Sequence, residues 1–557
     1  MSGEVYNGLV SARRAAAAVP PTAAVRGPPQ LGEVVMKRAL LLVRRSATIT
    51  PFTVAVLRRK GFEPFVLSSL PDDGGSEFRR MCAELGVEGA VSAGVSVTMA
   101  EVGEVLAGIE DCAFCLSLAD AQRELMAEAN RLLGAPDVDP AALRLAVDKH
   151  EMRTTLAQLG LSRLLSLRLD DPDTRAAIEA GEPFVVKPRH GVGSLCVAVV
   201  RSWDEAMAVQ KSFDEGPGDD DVLAEYFVNN ELIAESFFEG RELSVDLVRR
   251  DGQDLVLVDH EKTVLEFGAG TVLERGMASP VVGLTPSQLD AVHRLARQAL
   301  DALGLSHGCY HVEVRVNQAG EAEIVEINPR VGGALIWDSI RLQYDRSVTE
   351  DWVDVLAGQA VAPMAARRCG TYQQLAHAAQ RRPMMAADVS PEFPEPAVSS
   401  VHTSPGERPK PYREHFTACA MWTTDLAAHR EQVAALMDGE YFSFRYLPGL
   451  SGRPVVLVLE PPDYAVVRAA VAMEGVDVMV AHSGQIAVVP EYFEVCDRIA
   501  ALVRIPSWED TDACLNLLRN ACADSRISAV LAPQEPTHRV AERIRIEAGI
   551  DRLTSVV

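Results

Sequence analysis

His311-Val-Glu-Val-Arg-Val-Asn317, followed after Gln-Ala-Gly-Glu by Ala322-Glu-Ile-Val-Glu-Ile-Asn-Pro-Arg330, is the stretch that decides the fold. Val312, Val314 and Val316 alternate with polar residues, and so do Val325 and Ile327. This is the period of two expected for strands with one buried face. Gly320 sits in a short connection of hairpin length. Pairing Asn317 with Ala322 sets Glu313 opposite Glu326 and puts Asn328 on the same face. Carboxylates facing each other across a sheet repel, so a positive group is expected between them. Two glutamates and an amide carbonyl form a hard-oxygen set that suits Mg2+, with Mn2+ as the alternative ion. Pro329 stops the strand, and Arg330 then projects beside the metal position, where a guanidinium can hold a carboxylate or a developing phosphate charge. Gly332-Gly333 allows close backbone approach to a phosphate. Any one of these residues alone reads as a solvated charge; the ordered set does not.

Upstream, the texture falls into three blocks. Residues 1–35, rich in Ala and Pro, read as a disordered leader without the apolar core of a secretory signal. Met36 is an alternative start. From 36 to 147 short apolar strands (Ala39–Val43, Pro64–Leu67, Ala113–Ser117) alternate with helices, which implies a parallel α/β domain. From Asp148 strand and hairpin signals dominate, at Phe184–Lys187, Cys196–Val200, Glu242–Arg249 and Asp254–Asp259, with helices at Ser287–Leu303 and Val348–Gly358. This is an α+β region. Downstream, 383–411 holds seven Pro and reads as a linker or surface excursion. Residues 412–557 are again α/β, with strands at Val455–Leu459, Val476–Val480 and Ile527–Leu531.

The bulk numbers bound the function. A net charge of −24 argues against nucleic-acid and anionic-membrane partners. No apolar run reaches the ~18 residues of a membrane span. Ten Cys in 557 residues suit a reducing, cytoplasmic setting. Cys112 and Cys115 read as buried small hydrophobes.

The segment Glu326-Ile-Asn-Pro-Arg-Val-Gly-Gly333, after the strand bearing Glu313, resembles the ATP-grasp superfamily, and further matches follow in order. Asp148-Lys149-His-Glu-Met-Arg153 looks like the opening of the lid domain, and the resemblance implies that Lys149 touches the α-phosphate. Phe184-Val-Val-Lys187-Pro188 resembles the strand whose lysine reaches the α/β-phosphates. Gly191, Gly193 and Ser194 follow as a glycine-rich phosphate loop. Ala234-Glu235-Ser236-Phe237-Phe238 resembles the hinge whose backbone holds adenine, and Glu242 the residue that takes the ribose hydroxyls. Glu274-Arg-Gly-Met277 resembles a stretch of the L-amino-acid ligase branch that contacts the substrate amino group. Met277 stands where members commonly carry His, which bears on specificity.

The resemblance covers about residues 36–375. It implies an ATP-grasp fold divided into an N-terminal domain (36–147), a lid (148–235) and a catalytic domain (236–375). Residues 412–557 would be an accessory domain or the start of a second ligase module. The implied activity is ATP-dependent carboxylate–amine ligation, forming an amide or dipeptide bond through an acyl-phosphate and releasing ADP and phosphate. ATP and Mg2+ are the implied cofactors. Small carboxylates and amines, amino acids foremost, are the implied partners, with a homodimer allowed. Arg330 would be catalytic and would touch substrate together with Glu274, Gly332 and Gly333. The alternatives are a carboxylase or purine-type ligase of the same fold, and a non-catalytic nucleotide-binding scaffold.

Overall fold

The computed structural model describes residues 36–550, apart from 45–48, 70–74, 192, 217–225, 229, 269–270, 379–381, 404, 410–415, 462–463, 484–497, 506 and 523–524. The expected leader, 1–35, lies outside the described residues.

Strands β1 (Lys37–Val43), β2 (Phe62–Ser68), β3 (Glu88–Val91) and β4 (Cys112–Leu116) form a parallel sheet in the order β3-β2-β1-β4. Ala39 to Val43 are all buried, as expected for a central parallel strand covered on both faces. The lid sheet is antiparallel, with β5 (Ser166–Arg168), β6 (Phe184–Pro188), β7 (Ala198–Val200) and β8 (Leu232–Ser236) in the order β5-β8-β6-β7. β7 begins at Ala198, two residues later than the sequence pattern suggests. Ser194 and Cys196 take positive φ (59° and 54°), which no strand accommodates.

The catalytic sheet is larger than expected. It takes in β9 (Arg241–Arg250), β10 (Gln253–Gly268), β11 (Thr271–Ser279), β12 (Gly308–Val316), β13 (Ala322–Asn328) and β14 (Gly370–Ala376). Then follow β15 (Met384–Val389), β16 (Val398–Val401), β17 (Ala418–Thr424) and β18 (Phe442–Tyr446). Eight of these pair in the order β13-β12-β9-β10-β11-β14-β17-β16, while β15 and β18 form a separate ribbon. The 383–411 segment is therefore corrected. It carries β15 and β16, and β16 pairs with β17 on the edge of the catalytic sheet, so that sheet does not end near 375. The prolines flank these strands, and an edge strand leaves one side free of ladder bonds, which is where a proline-rich chain can still pair.

The hairpin register also differs from the simple count. Val316 pairs with Ala322, Arg315 with Glu323 and Val314 with Ile324; a bulge follows, and Glu313 then faces Glu326. Glu313 and Glu326 are opposite, as expected, but only because Val325 is the extra residue. Ile324 and Ile327 point into the core, whereas Val325 faces the cavity described below.

The N-terminal sheet shares one apolar core with the back of the catalytic domain, where Trp352 is fully buried. Arg123 locks this junction. Its Nε donates to the Pro329 carbonyl at 3.0 Å, its Nη1 and Nη2 donate to Asp137 at 3.0 and 2.5 Å, and its guanidinium lies 5.4 Å from the Trp352 ring centre.

A second parallel sheet closes the described chain. β19 (Val455–Leu459), β20 (Asp477–His482), β21 (Ile499–Arg504) and β22 (Ile527–Leu531) take the order β21-β20-β19-β22, the topology of the first sheet. The likeness extends to a constant spacing of 415 residues between matched elements. It holds from β4 to β22 (112 to 527), from one 3-10 turn to the other (120 to 535), from helix Arg123–Leu133 to helix His538–Ala548 (123 to 538), and between the capping glycines Gly134 and Gly549. No helix among the described residues is long and apolar enough to cross a membrane.

Replacing Arg123 by Ala leaves the buried Asp137 without its cation, with only Asn130 and the Val138 N–H still donating to it, and the expected loss of stability is about 3–5 kcal/mol by chemical denaturation.

Candidate active site

The polar face of the three central strands is built by register. Glu242, Ser244 and Asp246 on β9 pair with Lys262, His260 and Val258 on β10, and with Arg315, Glu313 and His311 on β12. Paired residues share a face, so these side chains, apart from the core residue Val258, form one polar surface. The bulge at Val325 adds both Glu323 and Glu326, three positions apart, which a regular strand would send to opposite sides. Above this face the lid contributes Lys187 from β6 and Glu235 from β8. Lys149 comes from the first position of helix Lys149–Gln158, whose cap Asp148 also accepts from Arg189 Nε at 2.8 Å.

Between these surfaces lies a cavity of about 340 Å³. One end is apolar, bounded by Val185, Val199, Leu265 and Val272 beside the 235–238 segment. The other end is charged, with Lys149, Lys187, Glu313, Glu326, Asn328 and Arg330. An apolar slot leading to a few convergent polar groups is the form of a small-molecule site.

Its charges interlock. Lys187 Nζ donates to Glu235 Oε2 at 2.6 Å, and Arg153 Nε donates to Glu235 Oε1 at 3.0 Å while its Nη1 reaches Glu323. Burial alone would raise the Glu235 carboxyl, but Arg153 and Lys187 outweigh it and hold it down at about 2. Burial pulls the Lys187 ammonium below the ordinary lysine range, against the pull of Glu235. Glu242 accepts from Lys262 Nζ at 2.6 Å and from Arg315 Nε at 2.8 Å, and these cations keep its carboxyl low despite burial. Arg315 Nη1 also donates to the Phe238 carbonyl at 3.2 Å. Lys262 Nζ lies 2.9 Å from Glu313, and Lys149 Nζ lies 3.2 Å from Glu326. The positive group expected between the facing glutamates is thus supplied in part by two lysines. His311 bridges Asp246 at 2.8 Å and Glu313 at 3.3 Å. Burial disfavours its charge, yet Asp246 and Glu313 push it up to about 9.

Lys149, Lys187, Gly191, Gly193, Ser194, residues 235–238, Glu242, Glu274, Glu313, Glu326, Asn328, Arg330 and Gly333 all line this cavity. Gly332 does not. A Cβ there would meet Asp246 Oδ1 at 2.6 Å and His311 Nδ1 at 2.7 Å, so this glycine answers to packing beneath the site and not to contact with a phosphate. Met277 is buried below the cavity, where Gln373 Nε2 lies 2.9 Å from its sulfur. Arg330 Nε donates to both oxygens of Asp120, at 2.6 and 2.7 Å, which ties it to the N-terminal domain.

Lys262, Arg153, Arg315, His311 and Asp120 have no role in the sequence reading. Arg315 was legible, because it stands two positions from Glu313 on the same strand face. Lys262 ends the run Asp259-His-Glu-Lys262, four buried polar residues inside a strand, a pattern that signals an internal polar network. Asp120 and Arg153 act across domains; Arg153 falls within the lid-opening stretch Asp148–Arg153, but nothing local marks the partners of either.

Glu313, Glu326 and Asn328 fit a divalent ion in donor chemistry. Among the described residues no group of three or more His, Cys, Asp or Glu forms a metal cluster. Two carboxylates and an amide oxygen suit an ion that keeps part of its shell for water and phosphate.

Residues 180–338 match the ATP-grasp domain family, and the fold is similar to that of solved ATP-grasp proteins. The proteins it is similar to include amino-acid ligases. Alanine–anticapsin ligase of Bacillus amyloliquefaciens is 25% identical over 46% of this chain and 57% of its own length. The L-arginine-specific L-amino acid ligase of Bacillus subtilis is 27% identical over 37% of this chain and 49% of its own. The chain spans about half the length of these curated relatives. The L-amino acid ligase structure from Bacillus licheniformis superposes with a TM-score of 0.60 at 16% identity, over 74% of this chain and 98% of that one. The biotin carboxylase domain of Hydrogenobacter thermophilus 2-oxoglutarate carboxylase, solved with MgADP, ADP and bicarbonate, gives 0.52 at 14% identity, over 73% and 91%.

The depressed Glu235 carboxyl has a consequence for acid stability. Its contribution is complete above the ordinary value of 4.5 and is lost as pH falls through about 2. Thermal unfolding across this window should show a falling midpoint in the wild type. Glu235→Gln should start lower at neutral pH and fall less steeply.

Proposed function

We propose that the protein is an ATP-dependent carboxylate–amine ligase acting on amino-acid-type substrates through an acyl-phosphate, with release of ADP and phosphate. The observation that carries this reading is a single cavity joining an apolar slot beside the 235–238 backbone to a cluster of lysines, acids and Arg330. Adenine fits the apolar end and the ribose falls to Glu242. The phosphates fall to Lys149, Lys187 and the backbone N–H groups of Gly191, Gly193 and Ser194. Glu313, Glu326 and Asn328 would hold Mg2+, which when bound neutralises charge on the β- and γ-phosphates.

A carboxylate does not react with an amine at neutral pH, because oxide is a poor leaving group. Attack of a substrate carboxylate oxygen on the γ-phosphorus breaks the bond to ADP and gives the acyl-phosphate. A neutral amine then attacks the acyl carbon, expels phosphate and sheds a proton. Lys149 and Lys187 supply positive charge along the phosphate path. Arg330, aimed by its two bonds to Asp120, steadies the acyl-phosphate and the oxyanion that follows. Glu274, in the same cavity wall, suits the ammonium of an amino acid. The ligase relatives support the amine and carboxylate classes, and the MgADP complex of the carboxylase domain supports the nucleotide and ion. The repeated topology supports reading the C-terminal unit as a domain of the kind that precedes an ATP-grasp module.

Mass spectrometry of products from Mg-ATP and pooled amino acids tests this directly. A dipeptide with matching ADP is expected; ADP release driven by bicarbonate alone would assign a carboxylase instead. Glu326→Ala should lower ADP formation by at least about 100-fold with an unchanged circular dichroism spectrum. Near-normal turnover in that variant rules out the metal assignment.

A further inference from the structure

Lys262 stands where three of the cavity's acids meet. It sits in the middle of the catalytic sheet on β10, with only 1% of its side chain exposed. Its Nζ is 2.6 Å from Glu242 on β9, 2.9 Å from Glu313 on β12 and 3.7 Å from Glu274 on β11. Reaching β12 means crossing β9, and the residue opposite Glu313 on that strand is the small, buried Ser244, which leaves the path open. The Glu313 oxygen that meets Lys262 also meets His311 Nε2 at 3.3 Å. Glu326, across the bulge, meets the ammonium of Lys149 at 3.2 Å. Each acid of the proposed cation position therefore already has a lysine on it.

A divalent ion and an ammonium cannot share one carboxylate oxygen at short range without strong repulsion. Lys149 has a competing attraction, because nucleotide phosphates draw it off Glu326. Lys262 lies deeper and is held among Glu242, Glu313 and Glu274. We infer that Lys262 is a positioning residue that competes with the divalent cation for Glu313, so that the ion is taken up with the nucleotide and only weakly without it. This rests on the reading of Glu313 as a cation ligand. It adds an order of binding and a residue that enforces it.

The test is Mn2+ binding without turnover, followed by electron paramagnetic resonance of the free ion, with and without ADP. In the wild type, ADP should tighten Mn2+ binding strongly. K262M should bind Mn2+ alone about tenfold more tightly than the wild type, since a like charge has left the site. Linkage makes the coupling reciprocal, so Mn2+ should tighten ADP binding by the same factor by which ADP tightens Mn2+. K262R should keep the wild-type pattern. A purely structural lysine predicts the opposite sign, because a loosened site binds the ion less well. Should K262M fold poorly, E242Q/K262M removes one charge of each sign and must show the same tightening. Mn2+ affinity equal to or weaker than wild type in the folded variant overturns the competition. E313Q separates the two layers. If it leaves Mn2+ binding in the presence of ADP unchanged, Glu313 is not a ligand and both readings fall. If E313Q weakens binding while K262M does not tighten it, the ligand assignment stands and the competition alone is wrong.

Discussion

Glu235, Glu242, Glu313 and Glu323 are buried around one cavity, and a buried carboxylate is tolerable only when a cation or donor meets it. The rest of the architecture follows from satisfying that demand. Arg153 spans Glu235 and Glu323, Arg315 and Lys262 meet on Glu242, and Lys187 closes on Glu235. These pairs join the lid, the helix Lys149–Gln158 and the central strands. The domains are thus held in register around the cavity by charge, in addition to the apolar cores behind them. The same cations would suit the polyphosphate of the proposed nucleotide.

Geometry at the end of β13 carries much of this. One extra residue, Val325, turns Glu323 and Glu326 to the same side and keeps Ile324 and Ile327 in the core. Just beyond, the N-terminal domain grips the Pro329–Arg330 pair, through Arg123 on the Pro329 carbonyl and Asp120 on the Arg330 guanidinium. The domain that precedes the lid thus holds Arg330 of the cavity wall in place without lining the cavity itself. In the repeated C-terminal topology Glu535 occupies the place of Asp120, an acid for an acid at the matching turn.

Much was legible before any coordinates. Period-two alternation located β12 and β13, and the parallel sheets at both ends declared themselves as apolar runs between helices. Their side-chain pattern follows from local backbone geometry and needs no distant partner. The cavity residues came from ordered motifs, and all but Gly332 of those proposed line the cavity. The proline-rich 383–411 segment misled because composition reports local disfavour for strand. It says nothing of the free sheet edge that β17 offers to β16.

What the amino-acid order determined by itself was the kind of elements, the hairpin with its facing glutamates and most of the residues that line the cavity. Those depend on near neighbours and on fixed periodicities. Only the tertiary structure decided the bulge, the burial of Lys262 among acids from three strands, the Arg153 bridge and the hold of Asp120 on Arg330. These join residues as much as 210 positions apart. Their energies depend on distance and desolvation in three dimensions, and no local pattern in the chain encodes either.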